Sequence, residues 1–259
     1  VTSPSRRFEA KPAERTRVPL IVGLTGPSSS GKTYTALRLA TGVQRVTGGD
    51  IFVVDTESER ARHYADFFKF QHVSFPPPHG PLDYLAAFEY CVSKGAKIIV
   101  GDSMSHEHEG EGGVLDQSEE YLERRCGDDY EKRNKHLMVS LIKPKAQRKK
   151  LNRWIVSHGD VIFIVCYRAA DKIKPQTGKE PLKLGWQPIT TSDLVYEMTC
   201  RFLLPPMSDG RPLLEPEEAA EKLSIKNPRQ FRDWLKKGEQ LDEAFGEKLA
   251  RWARADASG

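Results

Sequence analysis

Eight consecutive residues constrain this chain more than any other stretch: Gly26, Pro27, Ser28, Ser29, Ser30, Gly31, Lys32 and Thr33. They follow an apolar, β-branched run at 18–24 that reads as a buried strand. They precede a segment, 33–46, in which Leu37, Leu39, Ala40 and Val43 recur at helical spacing. A glycine- and serine-rich turn between strand and helix lets successive backbone N–H groups converge on one point. The helix N-terminus adds the positive end of its dipole there. The pattern is that of a phosphate-binding loop, with Lys32 reaching terminal phosphates and the Thr33 hydroxyl available to Mg2+. Residues 26–33 and the adjoining Tyr34 are therefore expected to contact a nucleotide, ATP with magnesium. A purely structural glycine-rich turn is the competing reading.

The rest of the chain repeats the strand–helix alternation. Residues 51–54 read as a second buried strand, closing on Asp55, Thr56 and Glu57. Pro81 opens a helix reaching about residue 94, and 97–100 forms a third strand ending at Asp102. Residues 103–113 read as a polar, glycine-rich loop. Helices are expected over 114–126 and 130–157, the second broken at Pro144. Residues 161–167 are the most apolar strand, 170–192 a long loop, and 199–204 a further strand. Parallel strands need crossovers, so the pattern implies an α/β fold with a mostly parallel sheet flanked by helices. After Pro205 the texture turns charged and helical, with helices expected from Asn227-Pro228 and over 241–252. The division expected is a flexible basic arm at 1–17 (Arg6, Arg7, Lys11, Arg15, Arg17), a core at 18–204 and a small helical appendage at 205–259. In that last part Trp234, Leu235, Phe245, Leu249 and Trp252 fall at helical intervals.

Composition excludes several classes. In 259 residues, 38% are hydrophobic and 29% charged, ordinary for a globular protein. Cys91, Cys126, Cys166 and Cys200 lie tens of residues apart, with no zinc-finger or disulfide spacing. No apolar run is long enough to span a bilayer and no secretion signal opens the sequence, so no membrane partner and a cytoplasmic setting are expected.

Two carboxylates carry the chemistry beside the loop. Asp102, at the end of a strand, is placed to hold the magnesium shell together with Thr33. Glu57 is placed to polarise a water for attack on the terminal phosphate, which makes Glu57 and Lys32 the candidate catalytic residues. Asp55 competes for the role of Glu57. His106 and His108, two apart in a loop with Glu107 and Glu109, form a weak zinc pattern.

Basic residues concentrate at Lys143, Lys145, Arg148, Lys149, Lys150 and Arg153, and again at Lys172, Lys174, Lys179 and Lys183 near Trp186. They read either as a solvated face or as a stripe that tracks the backbone of single-stranded DNA. The net charge of +4 is too mild to decide between them.

The loop at 26–33, the strand ending Asp55-Thr56-Glu57, Gly101-Asp102-Ser103 with the acidic–glycine run to Gly113, and Tyr167-Arg168-Ala169 together resemble phage-encoded RecA-like ATPases. Within that group the chain is similar to the Sak-type single-strand annealing proteins, a RecA core without accessory domains. The resemblance implies a RecA-like P-loop core and ATP hydrolysis with Mg2+. It implies Glu57 as catalytic glutamate, Asp102 as magnesium-shell aspartate, and DNA-facing loops after Asp102 and after Arg168. Arg168 stands where the family commonly has glutamine. It further implies DNA recombination or annealing by a homo-oligomeric ring or filament, with a single-strand binding protein as a further candidate partner. Arg168, Lys183 and Arg201 are the candidates for a residue that completes a neighbour's site. A phosphotransferase acting on a small molecule, and an annealing module with negligible ATP turnover, are the alternatives.

Overall fold

The computed structural model describes residues 10, 12–14, 16–177, 180–191, 193–216 and 221–255. Most of the basic arm, including Arg6, Arg7, Lys11 and Arg15, lies outside the described residues, as does Lys179. The strands are β1 (Ile21–Gly26), β2 (Asp50–Asp55), β3 (Gln71–Ser74), β4 (Ala96–Asp102), β5 (Ile162–Lys174), β6 (Leu182–Pro188) and β7 (Cys200–Leu203). The helices are α1 (Lys32–Thr47), α2 (Pro81–Ser93), α3 (His106–Glu109), α4 (Val114–Cys126), α5 (Tyr130–Ser140), α6 (Ile142–Ser157), α7 (Leu194–Glu197) and α8 (Glu243–Arg254).

The sheet runs in the order β3-β2-β4-β5-β1-β7, every pair parallel, with β6 antiparallel to the far half of β5. This is an α/β fold with a mostly parallel sheet flanked by helices, the architecture that the RecA-like resemblance implies. Every residue of β1 is buried, as is the sheet-forming half of β5, because helices cover both faces. On one face α1 and α8 pack over Val22, Leu24, Val53, Ile98 and Ile164. On the other, α2 and α6 bring Tyr84, Phe88, Leu151 and Ile155 against Phe163 and Val165.

Registry sets the functional edge. Gly26 pairs with Arg168, Asp55 with Asp102, and Asp102 with Cys166. Strands β2 and β4 therefore end at one level beside Cys166 of β5, and β1 ends two residues further on, at the edge where crevices form in parallel sheets.

Several expectations are corrected. The break near Pro144 falls earlier, at Leu141, and Pro144 is the third residue of α6, where a missing N–H costs no helical bond. Of the expected loop at 170–192, residues 170–174 and 182–188 are strand. There β5 continues to Lys174 and pairs with β6, with a register shift after Lys172 and Gly185 at φ 64°. Pro175, Pro181 and Pro188 lie at the ends of this ribbon and Gly185 within it, while Gly178 lies outside the described residues. Residues 103–113 contain the short α3, and β3 was not foreseen. Residues 229–234 form a 3-10 turn rather than an α-helix. Phe231, Leu235, Leu241, Phe245 and Leu249 are buried in the same cluster as α1.

Helix α8 crosses α1 at two glycines. A Cβ on Gly42 would stand 2.0 Å from the Glu243 carbonyl oxygen, and one on Gly246 2.4 Å from that of Leu39. Both obstacles are backbone, so neither helix can yield locally. In an open helix Gly→Ala stabilises by about 1 kcal/mol. Here Gly42→Ala is expected to destabilise by about 1–3 kcal/mol through overpacking, read from the urea midpoint. A stabilised variant would contradict this crossing.

Candidate functional site

The loop between β1 and α1 has the shape its sequence requires. Gly31 adopts φ 83°, ψ 13° immediately before the helix, and no side chain caps the first turn. The opening N–H groups of α1 therefore point out of the helix unpaired by a side chain, as an anion site requires. The Ser30 hydroxyl, fully buried, donates to the Pro27 carbonyl at 2.9 Å and holds the curl. A side chain at Gly26 would meet Ser30 Oγ at 2.4 Å and the Leu204 carbonyl at 2.5 Å. Lys32 folds over the loop and donates from Nζ to the Pro27 carbonyl at 2.7 Å. Burial lowers its pKa, against the opposing pull of nearby Asp102 and Glu57.

Thr33 and Asp102 meet: the threonine hydroxyl donates to Asp102 Oδ2 at 2.5 Å. Asp102 is 4% exposed, and burial pushes its pKa up to about 6, with the Thr33 bond opposing and the Glu57 charge adding. A hydroxyl and an under-compensated carboxylate side by side are hard oxygen donors of the kind magnesium takes. A bound cation would supply the positive charge that this buried carboxylate lacks. The donor set fits the ion.

Glu57 lies beyond the end of β2, and its side chain is 13% exposed. Arg168, at the paired level of β5, grips it through both oxygens, Nε to Oε1 at 2.8 Å and Nη2 to Oε2 at 2.7 Å. Burial would raise the Glu57 pKa, but Arg168, His106 and Arg60 together outweigh it and hold the group below its ordinary value. Asp55, the competitor, is committed elsewhere. Its Oδ1 accepts from the Glu57 N–H at 2.7 Å, and its Oδ2 accepts from the Ala61 N–H at 2.9 Å and contacts His72 Nε2 at 3.1 Å. It shapes the turn that presents Glu57.

Ser28 to Thr33, Glu57, Asp102 and Arg168 line one cavity of about 520 Å3, within the range of small-molecule sites. Arg60, His63, Tyr64, Glu109 and Ile189 complete it, none of which the motif indicated. Tyr34 is placed elsewhere. Its ring packs against Tyr64 and Phe68, with centroids 5.7 and 5.2 Å away, and it does not line the cavity. Ser208 and Gly210 pack against the outside of the loop at Ser30 and Gly31.

Beneath the cavity the segment after Asp102 is laced to its neighbours. Thr56 N donates to the Asp102 carbonyl, Ser103 N to Thr56 Oγ1, Tyr84 to the Ser103 carbonyl, and Arg168 N to Ser105 Oγ. His106 bonds Thr56 through Nδ1 at 2.7 Å, whereas His108 Nδ1 faces Arg148 Nη2 at 3.2 Å. Among the described residues no group of three His, Cys, Asp or Glu could hold a metal, so the zinc pattern finds no third ligand.

Arg148 is likewise not part of a solvated stripe. It is 5% exposed and paired with Glu107, 3% exposed, with Nε donating to Oε1 at 2.8 Å. It also donates to Thr191 Oγ1 at 2.7 Å, tying α3, α6 and the exit of β6 together. Lys143, Lys145, Lys149, Lys150 and Arg153 remain exposed on α6. Of the proposed completing residues, Lys183 is exposed on the ribbon and Arg201 lies on β7, away from the cavity.

No protein-family model and no curated protein matches the chain. Among solved structures, a KaiC-like protein from the hyperthermophilic archaeon Pyrococcus horikoshii OT3 is similar at 16% identity, over 75% of this chain and 82% of that one, with a TM-score of 0.37. So loose an overlap adds nothing about the site, which stands on its own geometry. Among the described residues no helix is long and apolar enough to cross a membrane.

Arg148→Met is expected to cost about 3–5 kcal/mol, because it leaves Glu107 buried without a counter-charge. Denaturant unfolding measures it, and a change within experimental error would contradict the buried pair. Burial and the facing charges of Arg148 and Lys172 lower the His108 pKa from 6.5 to about 4. Between those values the unfolded chain binds a proton that the folded chain refuses, so stability is lost as pH falls through that window. Asp102 titrates in the same range, so the quantity to follow is the difference between the protein and His108→Asn. Relative to that variant, the protein should lose stability between about pH 6.5 and 4; a constant difference would contradict the assignment.

Proposed function

We propose that this chain is a magnesium-dependent ATPase that works on single-stranded DNA, in recombination or strand annealing, as a homo-oligomer. The observation that carries the ATPase reading is the 2.5 Å contact between Thr33 and Asp102 at the mouth of the glycine loop, inside the cavity that also holds Glu57. Backbone N–H groups of residues 28–33 cradle the phosphate chain, and Lys32 leaves the Pro27 carbonyl for the terminal phosphate oxygens. Thr33 and Asp102 would hold magnesium, which when bound would offset the charge that builds on the transferring phosphate.

Glu57 orients the attacking water. Its depressed pKa keeps it anionic, so it accepts a hydrogen bond from water. Arg168 uses one acceptor position on each Glu57 oxygen, which leaves a second on each for the water. Arg168 is thereby a positioning residue as well as a positive group facing the phosphate side of the cavity.

The DNA reading rests on placement. Lys143, Lys145 and Lys149 at the start of α6, and Lys172, Lys174 and Lys183 on the β5–β6 ribbon, are exposed and belong to elements that Arg148 ties to one another. The family resemblance adds the expectation of recombination or annealing and of an oligomer.

The test is steady-state ATP hydrolysis with and without single-stranded DNA, alongside ATP affinity. Lys32→Ala should weaken ATP binding by roughly tenfold or more. Glu57→Gln should keep ATP affinity while hydrolysis falls by about 100-fold or more. Absence of turnover in the unaltered protein, with or without DNA, would instead make it an annealing module that binds nucleotide.

A further inference from the structure

A second cleft, of about 670 Å3, opens between β6 and the edge strand β7 and shares no residue with the glycine-loop cavity. Its lining carries four cations, Lys172, Arg201, Lys222 and Lys226, against one carboxylate, Asp193. Lys226 is structural. Its Nζ donates to the carbonyls of Tyr196 at 3.2 Å and Met198 at 2.5 Å, and its backbone bridges Arg201. That grip fixes α7 and with it Tyr196, a residue 74% exposed at the rim. Ser224 donates to Gln187 Oε1 at 3.3 Å and ties the β6 wall to the segment beyond β7.

An exposed aromatic on a pinned backbone, beside a positive wall in a cleft of nucleotide size, is suited to one ligand chemistry: a planar base joined to a phosphate. Lys226 caps the last carbonyls of α7 and so holds the backbone beneath Tyr196, and the described lining is rich in cations. The ribbon that forms one wall also carries Lys174 and Lys183, so the positive surface continues past the cleft as a strand would need.

We propose that this cleft holds one base-and-phosphate unit of unpaired DNA, with Tyr196 stacking on the base and Lys172, Lys222 and Arg201 facing the phosphate. The inference rests on the single-stranded DNA reading above and names the site that reading lacked. It extends the DNA path from α6 and the ribbon to the β7 edge of the sheet.

The experiment is fluorescence anisotropy of a labelled oligothymidylate at about 50 and about 200 mM salt, with thymidine monophosphate as competitor. It compares the protein with Tyr196→Ala, with Lys172→Ala/Lys222→Ala and with Lys149→Ala/Lys150→Ala. All these side chains are exposed, so each variant should keep the unfolding midpoint of the unaltered protein. Tyr196→Ala should weaken binding about tenfold or more while leaving the salt dependence intact. Lys172→Ala/Lys222→Ala should weaken binding and flatten the salt slope by up to about 0.7, the share of one phosphate. Unaltered affinity in both cleft variants, with loss in Lys149→Ala/Lys150→Ala, would overturn the cleft and leave the DNA reading standing. Failure of the unaltered protein to bind the oligomer at low salt would overturn both. Monophosphate that binds as tightly as the oligomer would assign the cleft to a free nucleotide and overturn its place on a strand.

Discussion

Asp102 ends the fully buried second half of β4, and its carboxylate touches a hydroxyl that belongs to α1. That contact spans the sheet position of β5, because β4 and β1 are not neighbours. It exists because the parallel registers align Asp55, Asp102 and Cys166 and bring Gly26 beside Arg168 two residues further on. A slip of one residue in β4 or β1 would turn the side chains to opposite faces and separate the pair. The core is thus arranged to fix the strand ends, and α8 locks the loop's helix, α1, from behind. Ser208 and Gly210 support the loop from outside, so the glycine loop is braced on both sides.

Electrostatics at this edge is a balance among a few buried groups. Asp102 and Glu57 compete as like charges, Lys32 and Arg168 compensate them unequally, and the outcome differs for each. Asp102 rises toward neutrality because burial dominates, whereas Glu57 stays anionic because Arg168 engages both its oxygens. In the proposed ATPase these two states suit two tasks: a carboxylate waiting for a cation, and a carboxylate held ready for water. The Glu107–Arg148 pair lies one layer deeper and sets where the ribbon leaves the sheet.

The features legible in the sequence are those written locally. The glycine loop with its flanking strand and helix, Asp102 at a strand end, and the alternation that implies a parallel sheet all depend on residues within a few positions of one another. What escaped depends on partners far apart in the chain. Arg168 meets Glu57 across 111 positions, and Arg148 meets Glu107 across 41. No periodicity announces such pairs, which is why Arg148 looked like one more cation of a solvated helix. Asp55 and Glu57 could not be separated by spacing, since only the turn at Ala61 shows which one is consumed by backbone N–H groups. The β5–β6 ribbon hid behind its prolines and glycines, because pairing rather than hydrophobic pattern holds its exposed strands. Tyr34 was grouped with the loop by adjacency, yet helical geometry carries its ring away to Tyr64 and Phe68.

The central claim is that Thr33 and Asp102 form a magnesium site that completes the phosphate cradle. Calorimetric titration of ATP into the protein, with Mg2+ and then with the ion chelated, tests it most directly when repeated on Asp102→Asn. The account predicts that ATP binds more tightly with Mg2+ than without, and that Asp102→Asn loses most of this difference while metal-free binding persists. Equal affinity in the presence and absence of Mg2+, or an unchanged magnesium effect in Asp102→Asn, would contradict it.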